Sequence, residues 1–396
     1  MITKIPIIGA EFDSGDLMYA LRHSGDELIC NEFSFAVSLQ MQEKYVYLVS
    51  SGIASLYLAL MTLRQISGKR EVVLPAYTAG SLVVAVKKAG LKPVLCDISM
   101  DDFNADIESL SGAVSENTLA VVCVHMFGIG MQSVSRIREK IPSGVFIIED
   151  CAQAMGSKVQ AKPVGSFSDI SFLSFNRGKN LAAHAGGAIM TNNKELAEIS
   201  SRLYAELSKQ EGIWRNSNVA AKTYCFGLAV NPFWYGLGFP LISLFKSTRP
   251  PRDFSIEKIP NFQAGLGLML LKKADTFFTR RHHNGMRIIE ALQESKGIIV
   301  PHIASDARPV FNRLPVVFKD INKVEEVRKR LWRAGIEASR MYLMPLHHMF
   351  ELGYESSAFP HASYLAARLL TLPVHPGVPE DLLLKMIYII GEAVSK

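Results

Sequence analysis

From about residue 45 to about residue 190 the chain repeats one pattern: a short apolar run, a turn or polar residue, then a stretch with helical spacing. The runs VYLVS, EVVLPA, KPVLCDI, LAVVCVHMFG, VFIIEDC and DISFLSF are rich in Val, Ile and Phe and read as buried strands. Between them, Leu56, Leu60 and Leu63 share one helical face after Ser55, and SLVVAVKKAG closes on Gly90, an ordinary helix stop. Strands alternating with helices predict an α/β fold with a mostly parallel central sheet covered on both faces. Such a sheet binds ligands beyond the carboxyl ends of its strands, so chemistry is sought in the polar residues there.

A chain of 396 residues is too long for one simple core, so two domains are expected. Residues 1–260 read as a large domain and 261–396 as a long helix plus a small C-terminal α/β domain. The helical pattern over 261–295 is followed by strand signals at RLPVVF and IEASRM and by a helix at VEEVRKRLWRAG. An apolar insertion at about 218–250 contains YCFGLAVNPFWYGLGFPLISLF, Tyr224–Phe245. Pro232, Pro240 and three glycines interrupt it, which makes it a poor spanning helix.

Forty-three basic residues against 37 acidic ones give a net charge of +6 with both signs interspersed. That suits anionic small molecules and is too mild for nucleic acid, and no basic arm or RNA-binding signature accompanies it. The five cysteines are an odd number, scattered, with no CxxC, so a reduced compartment is expected and no zinc-type site. The start, MITKIPIIGAEFDSGD, turns acidic before a signal-like apolar run develops, which predicts a cytoplasmic location.

Four pieces of the first half combine into a chemical constellation. Ser51-Gly52-Ile53-Ala54-Ser55 lies at a strand-to-helix junction, where small residues expose backbone N–H groups to a phosphate. Asp150, in the EDCAQ that ends VFIIED, either caps the next helix or sits against a pyridine nitrogen and keeps it protonated. Gln153 follows one helical turn later and could face the ring's phenolic oxygen. Lys179, in SFNRGKN just beyond DISFLSF, is either a solvated charge or an amine able to form an imine with an aldehyde. Ser174 would add a hydroxyl to the phosphate, and Gly186-Gly187 open the next strand where backbone passes close to a neighbour.

Together these residues resemble fold type I pyridoxal-phosphate (PLP) enzymes, and within them the DegT/StrS family of nucleotide-sugar aminotransferases. The resemblance covers most of the chain, from SSGIASLYLAL through IIEDCAQAMGS and GSFSDISFLSFNRGKNLAAHAGGAIMTNN to FPHASYLAARLLTLPVHP. The EDCAQ and SFxxxKN pair is its most specific part. The resemblance implies that Lys179 carries PLP as a Schiff base and that Asp150 pairs with the ring nitrogen. It implies that Gln153 meets the ring, and that Ser174 and the amides of Gly52, Ile53 and Ala54 hold the phosphate. His125 matches a family histidine near the cofactor, although a structural role is equally open. His347 and Tyr342, in the MYLMPLH stretch, match positions on the substrate side.

The departures are specific. Ile53 stands where the family has a threonine, so a hydroxyl to the phosphate is missing. Ala79 stands where an aromatic residue normally stacks on the ring, leaving Tyr77 or His125 to substitute. FSIEKIPNF replaces the segment that supplies an asparagine to the partner subunit of a homodimer. The expected activity is transfer of an amino group from an amino acid, glutamate by family habit, to a keto-sugar. A PLP-dependent sugar dehydratase is the alternative, disfavoured because those relatives have histidine in place of Lys179. A non-catalytic PLP- or sugar-binding relative is the other. The insertion reads as core, as an interface or lid, or as a weak peripheral membrane contact through 224–252, where Phe233, Trp234 and Tyr235 precede the cations Lys246, Arg249 and Arg252.

Overall fold

The computed structural model of the chain describes residues 3–207, 213–244 and 250–395. The apolar runs form β1 (Tyr45–Val49), β2 (Glu71–Pro75), β3 (Lys92–Cys96), β4 (Thr118–Val124) and β5 (Phe146–Asp150). A small ribbon, β6 (Lys158–Val159) with β7 (Lys162–Pro163), precedes β8 (Ile170–Ser174) and β9 (Gly187–Thr191). Seven of them make one sheet in the order β1-β9-β8-β5-β4-β2-β3. Only β9 runs antiparallel to its neighbours, β1 and β8; the other pairings are parallel. Because β9 is reversed, its first residue lies at the carboxyl edge of the sheet, where Gly187 pairs with both Val49 and Ser174.

Helices cover the sheet. In the first half these are α1 (Ser14–Arg22), α2 (Ile29–Met41), α3 (Gly52–Arg64), α4 (Gly80–Lys88), α5 (Ile107–Gly112), α6 (Ile137–Lys140) and α7 (Lys194–Ala205). On α3 the expected face is buried: Leu56, Leu60 and Leu63 are all in the core. Each contributes about 1.5–3 kcal/mol of transfer free energy. Ser51 caps α3 through its side chain, and Gly90, at φ 69°, follows α4 in the left-handed conformation.

The apolar insertion is neither a single helix nor plain core. It folds as two helices, α8 (Ile213–Ala229) and α9 (Pro232–Leu244), with Pro232 at the first position of α9, where its missing N–H costs nothing. The long helix expected over 261–295 is likewise two, α10 (Asn261–Lys272) and α11 (Ala274–Leu292). The break falls at Lys273, whose N–H turns to Leu270 O at 3.1 Å while its Nζ is held by Asp13 and Asp16 at 2.9 and 2.7 Å.

Downstream, β10 (Ile298–Ile299), β11 (Leu314–Phe318) and β12 (Leu369–Leu372) form an antiparallel sheet in that order. It is packed with α12 (Ile321–Arg333), α13 (Leu346–Met349), α14 (Pro360–Arg368) and α15 (Glu380–Ser395). IEASRM does not form the strand expected of it. Ile336 bridges Ile5 and Ser339 bridges Thr371, so that segment is used as two isolated contacts. The first of them, with Ile7 N–H donating to Glu337 Oε2 at 2.8 Å, ties the start of the chain to its C-terminal half.

Candidate functional site

The carboxyl edge of the large sheet gathers the residues singled out from the sequence. At the end of β5, Asp150 is buried, and its Oδ1 accepts the Ala152 N–H at 2.9 Å. Burial pushes its carboxyl upward, while the Lys179 charge and the Ala152 hydrogen bond oppose the shift. Lys179 follows β8 on a tight turn closed by its N–H to Asn176 O at 3.2 Å. Gly178 takes φ 75° in that turn, and a Cβ there would meet Ile8 at 2.7 Å. Asn180 locks the far side, donating to Met155 O at 3.1 Å and Val310 O at 2.7 Å. Burial pushes the Lys179 amine down to about 8, with Asp150 resisting and Arg313 assisting. An ordinary lysine near 10.5 is almost wholly charged at neutral pH; this one keeps a usable neutral fraction.

Beside this turn lies the start of α3. Ser51 Oγ accepts the Ala54 N–H at 3.3 Å, so that amide, expected to be free for phosphate, is already used by the cap. The amides of Gly52 and Ile53 remain at the open end of the helix, where no intrahelical acceptor exists. A Cβ on Gly52 would come 2.7 Å from Ser174 Cβ, so only glycine lets the helix end and the Ser174 hydroxyl approach each other. Gly187 does the same on the other side, where a Cβ would meet the Ser51 carbonyl carbon at 2.6 Å.

These groups fit the cofactor that the resemblance implied. A helix N-terminus with an adjacent hydroxyl is an anion cradle, a buried carboxylate suits a pyridinium, and a depressed amine suits an aldehyde. Ile53 adds no polar atom; its side chain packs against the core.

The aromatic and histidine candidates divide. Tyr77 is buried, donates its hydroxyl to Met341 O, and meets Tyr342 edge-on at 5.8 Å and Phe127 at 6.5 Å. Tyr342, at φ 48°, hydrogen-bonds Gln153, so two of the residues singled out from the sequence are joined. Gln153 Oε1 also accepts from Phe127 N at 3.2 Å and Asn312 Nδ2 at 3.3 Å. Both nitrogens of His125 are occupied within the protein. Nδ1 accepts the Met131 N–H at 2.9 Å, which leaves Nε2 as the donor to Glu149 Oε1, also at 2.9 Å. Glu149 further accepts the Gly165 and Phe167 N–H groups, each at 2.8 Å. His125, Glu149 and Cys151 place ligand atoms within 4.8 Å of one another. Those hydrogen bonds consume the histidine and the carboxylate, and burial drives the Cys151 thiol well upward, so the set suits packing rather than a cation. His347 lies on α13 against His348 and Phe359, with Nε2 at 3.2 Å from Ser356 O. No hydrogen bond or ion pair among the described residues joins it to Lys179 or Asp150.

Arg313 was missed in the sequence. It precedes β11, close enough to the Lys179 turn that its Nη2 lies 3.5 Å from where a Gly178 Cβ would be. Its Nη1 donates a long hydrogen bond, 3.4 Å, to Ser339 Oγ, and among the described residues its buried Nε has no partner. The available signal was a lone cation opening the apolar run RLPVVF, which by itself reads as surface.

The chain is similar to known proteins along most of its length. Spore coat polysaccharide biosynthesis protein SpsC of Bacillus subtilis is 27% identical over 346 residues, covering 85% of this chain and 82% of that one. GDP-perosamine synthase of Escherichia coli O157:H7 is 26% identical over 355 residues, covering 88% and 85%. Among solved structures, DesV of S. venezuelae, crystallised with a ketimine intermediate, superposes with a TM-score of 0.79 at 22% identity, covering 100% and 99%. Helicobacter pylori PseC, an aminotransferase of pseudoaminic acid biosynthesis, gives 0.79 at 18% identity and 99% coverage of both chains. The shared architecture is fold type I. The profile of the DegT/DnrJ/EryC1/StrS aminotransferases matches residues 21–390, and the chain belongs to that family.

Proposed function

We propose that this protein is a PLP-dependent aminotransferase that moves an amino group from an amino acid, glutamate first among donors, to a keto-sugar carried on a nucleotide. It works in the cytoplasm as a homodimer and serves amino-sugar biosynthesis. The observation that carries the reading is Lys179: an amine lowered to about 8, on a locked turn, within charge range of buried Asp150 at the sheet's carboxyl edge. Bound there, PLP supplies an aldehyde for imine formation and a ring that accepts the electron pair left when the donor's Cα–H bond breaks.

The chain's own residues then have separate duties. Gly52 and Ile53 amides with Ser174 hold the phosphate, and Asp150 holds the proton on the ring nitrogen. With PLP bound, Lys179 Nζ would hold its aldehyde carbon and would be the group that takes the proton from the donor's α-carbon and returns it to the cofactor. One amine must reach both carbons, which is why a turn fixed on both sides by Asn176 and Asn180 suits it. Arg313, with its unpaired Nε, is the group available to a donor carboxylate. Tyr342 and Gln153 close the opposite side by their mutual hydrogen bond.

The test is chemical. Borohydride should fix the cofactor to the Lys179 peptide, and glutamate should convert the bound cofactor to its amine form with release of 2-oxoglutarate. A Lys179→Ala protein that is still labelled by borohydride at another lysine, or that still turns over, overturns the assignment. A monomeric mass at full activity overturns the homodimer.

A further inference from the structure

Helix α8 of the insertion forms one wall of a groove of about 400 Å³, none of whose lining residues belongs to the site at Lys179. The other walls come from residues 6–14, from Phe277 on α11 and from the turn at 375–377. Phe12, Tyr224, Leu228, Pro232, Phe277 and Pro376 give the groove its apolar sides. Phe12 packs on α8 at Gly227, where a Cβ would come 2.9 Å from the ring. Tyr224 and Leu228 stand four apart on α8 and are 55% and 45% exposed, so the face they share is apolar surface open to a contact.

Two buried polar groups on this lining are incompletely satisfied. His375 is 4% exposed, and its Nε2 lies 3.0 Å from Pro6 O. A carbonyl only accepts, so Nε2 carries the proton and Nδ1 of the neutral ring is a bare acceptor. Burial and the nearby Arg281 charge push the imidazole down to about 4, which keeps it neutral at physiological pH. Nδ1 makes no hydrogen bond among the described residues. It faces Gly9 and Gly377, which line the groove with it: a Cβ on Gly9 would come 2.7 Å from Nδ1, and one on Gly377 3.3 Å. A side chain at either place would sit over that nitrogen. Glu11, whose side chain is 5% exposed, gives Oε1 to Arg281 Nη2 at 2.5 Å, and its Oε2 has no partner among the described residues. Asp13 also lines the groove, and no lysine or arginine does. The ion pairs behind this wall set three carboxylates, Glu11, Asp13 and Asp16, against two cations, Arg281 and Lys273.

An anion in this groove would meet the excess of carboxylates with no cation on the lining to relieve the repulsion. A cation with N–H donors on an apolar body inverts that sign, gives His375 Nδ1 its missing donor and covers the exposed face of α8. We propose that the groove is a small-molecule site distinct from that at Lys179, taking an organic cation of the amine, amidine or guanidine class. Its N–H group donates to His375 Nδ1, and its aromatic or aliphatic body lies on Phe12, Tyr224, Leu228 and Phe277. The site stands whether or not the amino-transfer reading holds. It is joined to the lysine turn by adjacent residues: Gly9 lines the groove, and Ile8 packs where a Gly178 Cβ would come 2.7 Å from it.

The experiment is isothermal titration calorimetry of the full chain with benzamidine, an aromatic cation carrying N–H donors, and with benzoate, an anion of similar shape. Benzamidine should bind with millimolar or tighter affinity, and benzoate roughly tenfold or more weakly. Leu228→Trp fills the groove from an exposed helix position and should weaken benzamidine binding roughly tenfold or more while keeping the circular dichroism of wild type. His375→Phe removes the acceptor and should weaken it likewise; if that chain does not fold, Leu228→Trp decides alone. No binding of benzamidine by wild type overturns the proposal, as does benzoate binding of equal strength. Wild-type affinity for benzamidine in Leu228→Trp, or in a folded His375→Phe chain, places the cation elsewhere and overturns it equally.

Discussion

The position of Lys179 fixes how its reactivity changes with pH in the protein stripped of cofactor. With its amine at about 8 rather than 10.5, the neutral fraction at pH 7.5 is about a quarter instead of about one in a thousand, a gain of roughly two hundredfold. The perturbation is a pair of substitutions with opposite signs. Asp150 holds the Lys179 amine up, so Asp150→Asn, which keeps an oxygen for the Ala152 N–H, moves the amine further below 8. Arg313 pushes it down, so Arg313→Met moves it upward. The assay is the rate of modification of the Lys179 peptide by an amine-selective reagent across pH 6–11 (a range of roughly five units around the reference value), read by mass spectrometry against surface lysines of the same chain. The rate should rise through a midpoint near 8 in wild type, lower in Asp150→Asn and higher in Arg313→Met. A wild-type midpoint with the surface lysines, or a shift of both variants in one direction, refutes the electrostatic reasoning.

Two further substitutions test the phosphate cradle and the buried network. Ile53→Thr supplies a hydroxyl at the open end of α3 and should tighten cofactor binding by roughly tenfold, measured by titrating the stripped protein; an unchanged or weaker affinity places the phosphate elsewhere. Glu149→Gln leaves three buried N–H donors facing one carbonyl oxygen and an amide nitrogen, and should cost about 1–3 kcal/mol in thermal or urea unfolding. An unfolding midpoint equal to that of wild type would show that the His125–Glu149 pair carries no stability.

Much of the fold could be read from local pattern because local pattern is what selects a buried strand. Val, Ile and Phe in runs of five to seven have no polar atoms to leave unpaired when a sheet is covered on both faces, and β1 to β5 and β8 appear where those runs predict them. Asp150 closes one such run and Lys179 lies five residues beyond another, positions near the ligand edge of a parallel sheet, but the role of each was implied by the family resemblance and not by the pattern. The glycine pair at 186–187 was legible as a place of close backbone approach.

What the tertiary structure alone decided depends on groups distant in the chain. Only the tertiary structure shows Met131 and Glu149 taking both nitrogens of His125, which limits any cofactor contact to its ring face. Arg313 looks like a surface cation until the fold sets it beside the Lys179 turn, where among the described residues its Nε has no partner. The insertion has hydropathy enough for a core, yet a two-helix hairpin presents only one side to the body of the protein, and which side is fixed by Asn216, Tyr235 and Phe239 meeting residues from both ends of the chain. Periodicity is a property of neighbouring residues; burial, hydrogen-bond satisfaction and the shift of an amine's pKa are properties of whatever the rest of the chain brings alongside.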